Sequence, residues 1–223
     1  MSKRPNLCRP FTRRQASPGS TGKTILIVTE GEKTEPDYLK GLRNHLRLHA
    51  ADIYVTSSQG TDPLSVVKYA ISLRNERRRE VRRGSGVAYD SVWAVFDTER
   101  ADTNPRLNDA LQKAKANRIQ VGVSNPCFEF WLLLHDEHTT APFDTCTDVI
   151  TRIKERFFAN YQKGAVCISP YIQKIPDAVQ RAELCRRHKI NAGTDGNPST
   201  EMDLLVREMN EATRGYYRLN LRD

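Results

Sequence analysis

The feature that most constrains this 223-residue chain is an alternation between residues 24 and 135, in which short apolar runs trade places with amphipathic helical segments. The runs are Thr24–Thr29 (TILIVT), Asp52–Ser57 (DIYVTS), Ser91–Asp97 (SVWAVFD) and Ile119–Ser124 (IQVGVS). All are strand-length, and the first is continuously apolar, as a strand covered on both faces must be. Between them, Pro36–His49 carries Tyr38, Leu39, Leu42 and Leu46 at helical spacing. Asp62 and Pro63 read as the cap and first residue of a helix that turns Leu64, Val66, Val67 and Ile71 inward. Pro105–Asn117 does the same with Leu107 and Leu111, and Asn125-Pro126 reads as the cap and start of an apolar helix over Cys127–His135. Strand and helix in strict turn predict an α/β fold: a parallel four-stranded sheet with helices on both faces, joined by right-handed crossovers.

Beyond Pro142 the strand signal fades. Helices are expected over Asp148–Tyr161, Pro176–His188 and Ser199–Thr213, the last capped by Ser199 with Met202, Leu205, Val206 and Met209 inward. The expected organisation is a basic flexible arm over 1–23, an α/β core over 24–140 and a helical C-terminal extension over 141–223, packed on the core or over its site. Thirty-five Lys and Arg against 27 Asp and Glu give a net charge of +8, which favours an anionic partner such as nucleic acid. The five cysteines, at 8, 127, 146, 167 and 185, form no CxxC pair, and several sit in apolar stretches. They read as core thiols, so no disulfide framework or structural zinc is expected, and a reducing compartment is. No segment is long and apolar enough to span a bilayer, and a cytoplasmic location is expected. The stretch Gly19–Thr24 (GSTGKT) is no P-loop: it lacks the first glycine, and its strand follows instead of preceding it.

In open parallel sheets, ligands bind beyond the carboxyl ends of the central strands. The first run ends in Thr29-Glu30-Gly31-Glu32-Lys33 and the third in Asp97-Thr98-Glu99-Arg100. In the common doubly wound order these strands are neighbours, so Glu30 faces Asp97 and Glu99, whose i and i+2 side chains point the same way. Clustered carboxylates repel unless a cation joins them, and a hard oxygen-liganded ion such as Mg²⁺ or Mn²⁺ is the natural partner. Glu30, Asp97 and Glu99 are the candidate ligands, with Glu30 also a candidate general acid or base. Gly31 permits a tight turn near a phosphate, and Lys33 is placed to meet one or to offset the acids. Glu129, a carboxylate inside an apolar run, reads either as a site residue or as half of a structural ion pair. His135 reads as a satisfied core histidine. Arg77, Arg78, Arg79, Arg82 and Arg83 are candidate nucleic-acid contacts, balanced in the alternative by Glu76 and Glu80 on a solvated helix end. Lys163, with Tyr161, is a candidate substrate contact beside a plain packing role.

Four stretches carry a resemblance: Ile25–Pro36 (ILIVTEGEKTEP), Val95–Glu99 (VFDTE), Ser124–His135 (SNPCFEFWLLLH) and Asn197–Val206 (NPSTEMDLLV). Together they resemble the RloB-like family, whose core is similar to the Toprim fold and whose members accompany restriction and phage-defence genes. The resemblance implies a metal-dependent nuclease acting on RNA or DNA in anti-phage defence or abortive infection, using Mg²⁺ or Mn²⁺. It is also compatible with a partner protein from a defence operon and with an oligomer, and restriction genes or an ATPase partner beside the gene would strengthen the defence reading. Glu30-Gly31 matches the Toprim pattern, whereas Asp97-Thr98-Glu99 carries Glu in place of the second Asp, so the ion would sit differently. Strand passage is not expected, since it needs a tyrosine nucleophile on a further domain. The alternatives are a non-catalytic sensor or scaffold that keeps the Toprim shape and binds a nucleotide, nucleic acid or partner protein, and a phosphotransfer domain with acids at the same edge.

Overall fold

The computed structural model describes residues 23–49, 52–58, 60, 62–98, 105–192, 196–213 and 217–221. Glu99 and the basic arm up to residue 22 lie outside the described residues. The expected α/β sheet is present with five strands instead of four, in the order β2-β1-β3-β4-β5. β1 (Ile25–Thr29), β2 (Ile53–Ser57), β3 (Ser91–Asp97) and β4 (Gln120–Asn125) run parallel, and β5 (Ser199–Thr200) pairs antiparallel with β4. All four parallel strands therefore end at one edge, with Glu30 and Asp97 both there.

Strand alternation divides the apolar residues between two cores. Ile25, Ile27, Trp93 and Val95 face one side, where α1 (Thr34–His45), α4 (Glu129–Leu133), α5 (Cys146–Arg156), α6 (Ile175–Ala192) and α7 (Met202–Ala212) pack. Leu26, Val28, Ala94 and Phe96 face the other, against α2 (Pro63–Arg82) and α3 (Pro105–Asn117). The helical extension thus shares one continuous core with the sheet. Leu39 and Leu42 of α1, and Leu46 just after it, are fully buried, each contributing about 1.5–3 kcal/mol relative to exposure. Asp62 caps α2 as its sequence suggests, accepting from the Ser65 amide at 3.2 Å, with Pro63 at the first position.

Three local expectations are corrected. Ser199 caps no helix: it pairs with Asn125 in β5, and α7 begins at Met202, whose amide donates to Thr200 Oγ1 at 3.2 Å. The cap position of α7 is Glu201, whose side chain makes no capping hydrogen bond. Asn125 likewise caps nothing; β4 continues through it to a cis Asn125–Pro126 bond, and α4 starts at Glu129. The helix expected to reach Tyr161 ends at Arg156, because Phe157 and Phe158 turn towards the core. Its start is set by a capping box between Thr145 and Asp148.

The cysteine expectation also fails. Cys127 and Cys146 are joined in a disulfide between the segment before α4 and the first residue of α5. Cys167 and Cys185 are free, the first exposed and the second buried. No helix among the described residues is long and apolar enough to cross a membrane.

Candidate functional site

β1 hands the chain to the carboxyl edge already tied to β3. The Glu30 amide donates to Val95 O at 2.9 Å, one residue past the end of β1, and Glu30 Oε2 accepts from the Asp97 amide at 3.1 Å. The expected meeting of Glu30 and Asp97 therefore occurs, with the Glu30 carboxylate fastened to the end of β3. Thr29 Oγ1 donates to Gly31 O at 2.8 Å and shapes the turn that follows.

A fourth acid, missed in the sequence, comes from α1. Glu35, only 6% exposed, folds back so that its Oε1 accepts from the Gly31 amide at 3.1 Å. A Cβ on Gly31 would lie 2.2 Å from Glu35 Oε2, so Gly31 is required by this close approach. Gly31→Ala is expected to push the Glu35 carboxylate aside. Because the side chain's far end yields easily, the urea midpoint should hardly move, while divalent-ion affinity measured by calorimetry should fall about 10–100-fold.

Glu129 opens α4 and is buried to 1% exposure. Tyr161 Oη donates to its Oε1 at 3.2 Å, and Lys163 Nζ lies 3.8 Å from the same oxygen. Cys146 Sγ sits 3.2 Å from Oε2. Both sequence-level readings of Glu129 thus meet in one residue, since it has an ion-pair partner and belongs to the acidic group. Lys163 comes from the loop after α5, which is held over α1 by the Gly164 amide donating to Thr34 Oγ1 at 2.9 Å. Lys33 is exposed, and its stem runs against Gly164.

The electrostatics show that these acids form one group. Asp97 is held well above the usual carboxylate range, by burial first and then by Glu35, Glu129 and Glu30, with Lys163 opposing. Glu35 is also raised, by burial and then by Glu129, against its own backbone hydrogen bonds and Lys163. Tyr161 is pushed above its ordinary value by burial and the Glu129 charge, so its phenol stays a proton donor to that carboxylate. The acids are gathered but not closed. Among the described residues, only Cys127, Glu129 and Cys146 bring three candidate ligand atoms within 4.8 Å of one another. Bonded to each other, those sulfurs are not thiolate ligands for a soft metal. The carboxylates instead suit a hard ion that takes one or two of them and fills its remaining positions with water and phosphate.

The floor of the site continues across the sheet. Asp97 stands opposite Ser124 in the register, and Ser124 opposite Thr200, their hydroxyls 2.8 Å apart. Thr98 donates its amide to Ser124 O, while its buried Oγ1 has no hydrogen-bond partner among the described residues.

Two other candidates stand apart from the acids. His135 is a satisfied core residue, its imidazole pushed down to about 3 by burial. Its Nδ1–H donates to Trp131 O at 2.9 Å, so Nε2 accepts from Tyr38 Oη at 3.1 Å. The arginine run ends α2, which leaves the carboxyl edge after β2 and returns to the opposite edge before β3. At 1.5 Å per residue, that puts the run about 20–30 Å along the helix from the edge that holds the acids. Arg78, Arg79, Arg82 and Arg83 are exposed there, and three of them line an open depression of about 500 Å³ with Ser72 and Asn75. Arg77 is instead engaged, lying over the Tyr89 ring and paired with Glu80 at 3.3 Å. Of the proposed nucleic-acid contacts, only Lys163 is beside the acids.

The model of the family described as RloB-like protein matches residues 25–209. The chain belongs to the RloB-like family. No curated protein and no solved structure matches it. The matched span in this RloB-like chain includes Glu30, Glu35, Asp97, Glu129 and Lys163, and also β5 and most of α7, so the segments that build the acidic edge fall within the family's own extent.

Proposed function

We propose that this RloB-like chain is a divalent-cation-dependent nuclease whose reaction centre is the acidic edge formed by Glu30, Glu35, Asp97 and Glu129. The observation that carries this reading is the state of Asp97: three carboxylates and burial all act against its charge, and one lysine offsets them. An arrangement that costly is retained at functional sites, and a cation is what relieves it. When bound, Mg²⁺ or Mn²⁺ polarises a phosphoryl oxygen and lowers the pKa of coordinated water. Within the chain, Asp97, Glu35 and Glu129 supply carboxylate oxygens, the last through Oε2, and Glu30 holds the end of β3 in place or moves a proton at the reacting oxygen. Lys163 balances Glu129 and attracts the phosphate. Glu99, the next acid after Asp97, remains part of the proposal as a ligand. The net charge of +8 supports a nucleic-acid substrate. A role in anti-phage defence beside a partner protein, suggested by the RloB-like membership, and a cytoplasmic location belong to the same proposal.

The test is cleavage of RNA and DNA pools in Mn²⁺ by wild type and by Glu30→Gln. The glutamine still accepts from the Asp97 amide, so the variant keeps the fold and loses the charge. Wild type should cut and the variant should lose activity by at least about 100-fold. Equal cleavage by both removes this edge as the reaction centre. The spread of the carboxylates favours a second reading, a non-catalytic sensor or scaffold that keeps the same shape. Calorimetry separates the two, since a sensor of that kind takes up neither Mg²⁺ nor Mn²⁺.

A further inference from the structure

We propose that Cys127 and Cys146 form a thiol–disulfide switch on Glu129, and that oxidation of this pair makes the acidic edge competent to hold its cation; the inference rests on the cation-site reading above. The pair brackets the residue it controls. Cys127 lies two positions before Glu129, and Cys146 Sγ touches Glu129 Oε2 at 3.2 Å. In the dithiol, the Cys146 S–H donates to Oε2 and occupies an oxygen that a cation needs. In the disulfide, that sulfur has no hydrogen, and Oε2 faces it without a donor. The bond also closes a ring, spanning a separation of 19 residues, that contains all of α4 and fixes Glu129 beside Tyr161 and Lys163. Donor loss and ring closure therefore act in the same direction.

The co-reactant is a low-molecular-weight disulfide such as oxidised glutathione. Cys146 is half-buried and Cys127 only 1% exposed, so Cys146 is the sulfur that meets it. The Cys146 thiolate attacks one sulfur of the small disulfide, expelling one thiolate and leaving a mixed disulfide. The Cys127 thiolate then attacks Cys146 Sγ and expels the second. Two protein thiols lose two electrons and two protons, and the small disulfide becomes two thiols.

The experiment equilibrates the full chain in reduced or oxidised glutathione. The state of each cysteine is read by alkylation and mass, and Mn²⁺ affinity by calorimetry after the glutathione is removed. Oxidised wild type should bind Mn²⁺ about fivefold more tightly than reduced, the factor that one net hydrogen bond is worth. Cys146→Ser keeps a donor and cannot form the ring, so it should show the reduced affinity in both buffers. Cys146→Ala, with neither, should also ignore the buffer but bind more tightly than Cys146→Ser. A pair that stays reduced in oxidised glutathione overturns the switch, as does a disulfide that forms while Mn²⁺ affinity is unchanged. Absence of Mn²⁺ binding in both states overturns the cation site itself, and the switch with it.

Discussion

Asp97→Asn should make the metal-free protein more stable than wild type while removing its response to divalent ions. The wild-type carboxylate is raised by burial and by three acidic neighbours, and an isosteric amide carries none of that charge. A gain of about 1–2 kcal/mol corresponds to a rise in Tm of about 2–8 °C for a chain of this size. The pH dependence follows from the direction of the shift. An unfolded aspartate titrates near pH 3.9, and in the folded protein Asp97 titrates well above that. Between the two values, the folded state binds a proton that the unfolded state lacks, so stability falls as pH rises through the window and the loss is complete above the folded value. Glu35 contributes with the same sign. Without metal, the excess stability of Asp97→Asn over wild type should therefore be larger at about pH 8 than at about pH 5. Saturating Mn²⁺ should raise the wild-type Tm at the higher pH by mass action and leave the variant unmoved. Thermal unfolding at both pH values, with and without Mn²⁺, reads all four comparisons. A variant less stable than wild type in metal-free buffer at high pH would mean that Asp97 is a structural acid, with no cost for a cation to relieve.

The same opposition between function and stability explains what the sequence shows and what it hides. Glu30 and Asp97 are legible because each ends a run of apolar residues that must be a buried strand, and because the doubly wound order makes β1 and β3 neighbours. Glu35 is not legible. An acid in the first turn of a helix is ordinary there, favoured by the macrodipole, and only the folded chain turns it back onto Gly31. The one available signal was the glycine itself, whose missing side chain makes room for a carboxylate four residues on. Glu129 was legible as an anomaly, an acid within Cys127–Leu134, because burying a charge in such a run demands a partner. Its partners, Tyr161 and Lys163, lie 32 and 34 residues away in sequence (161 − 129 and 163 − 129) and meet it only through the loop after α5. β5 escaped because two residues carry no period, and the hydroxyls that seat Thr200 against Ser124 look like a helix cap in one dimension. The Cys127–Cys146 bond had no local signature either, since it depends on how α5 returns across α4. The arginine run was recognised as charge, but its distance from the acids follows from the direction of α2, which residue types alone do not give.

Arg186→Met should cost about 3–5 kcal/mol, the loss expected when one partner is removed from a buried ion pair. Asp203, in the first turn of α7, is fully buried and pairs through Oδ1 with Arg186 of α6, while its Oδ2 has no hydrogen-bond partner among the described residues. Burial raises the Asp203 carboxyl, and Arg186 opposes it most strongly, ahead of Arg207 and a backbone hydrogen bond, so removing the Arg186 guanidinium raises it further and favours protonation. The native state of the variant then binds a proton that the unfolded state releases above about pH 4. Its deficit should therefore widen from mildly acidic to mildly alkaline solution, and urea denaturation at about pH 5 and pH 8 measures the difference. Arg186 also donates to Thr200 O at 3.3 Å, which ties α6 to the strand whose partner, Ser124, stands beside Asp97. The ion pair thus latches the helical extension to the edge that carries the acids. Asp203→Asn in the Arg186→Met background should recover most of the lost stability by removing the stranded charge. A double variant as unstable as the single one would instead assign the loss to the packing of the arginine stem.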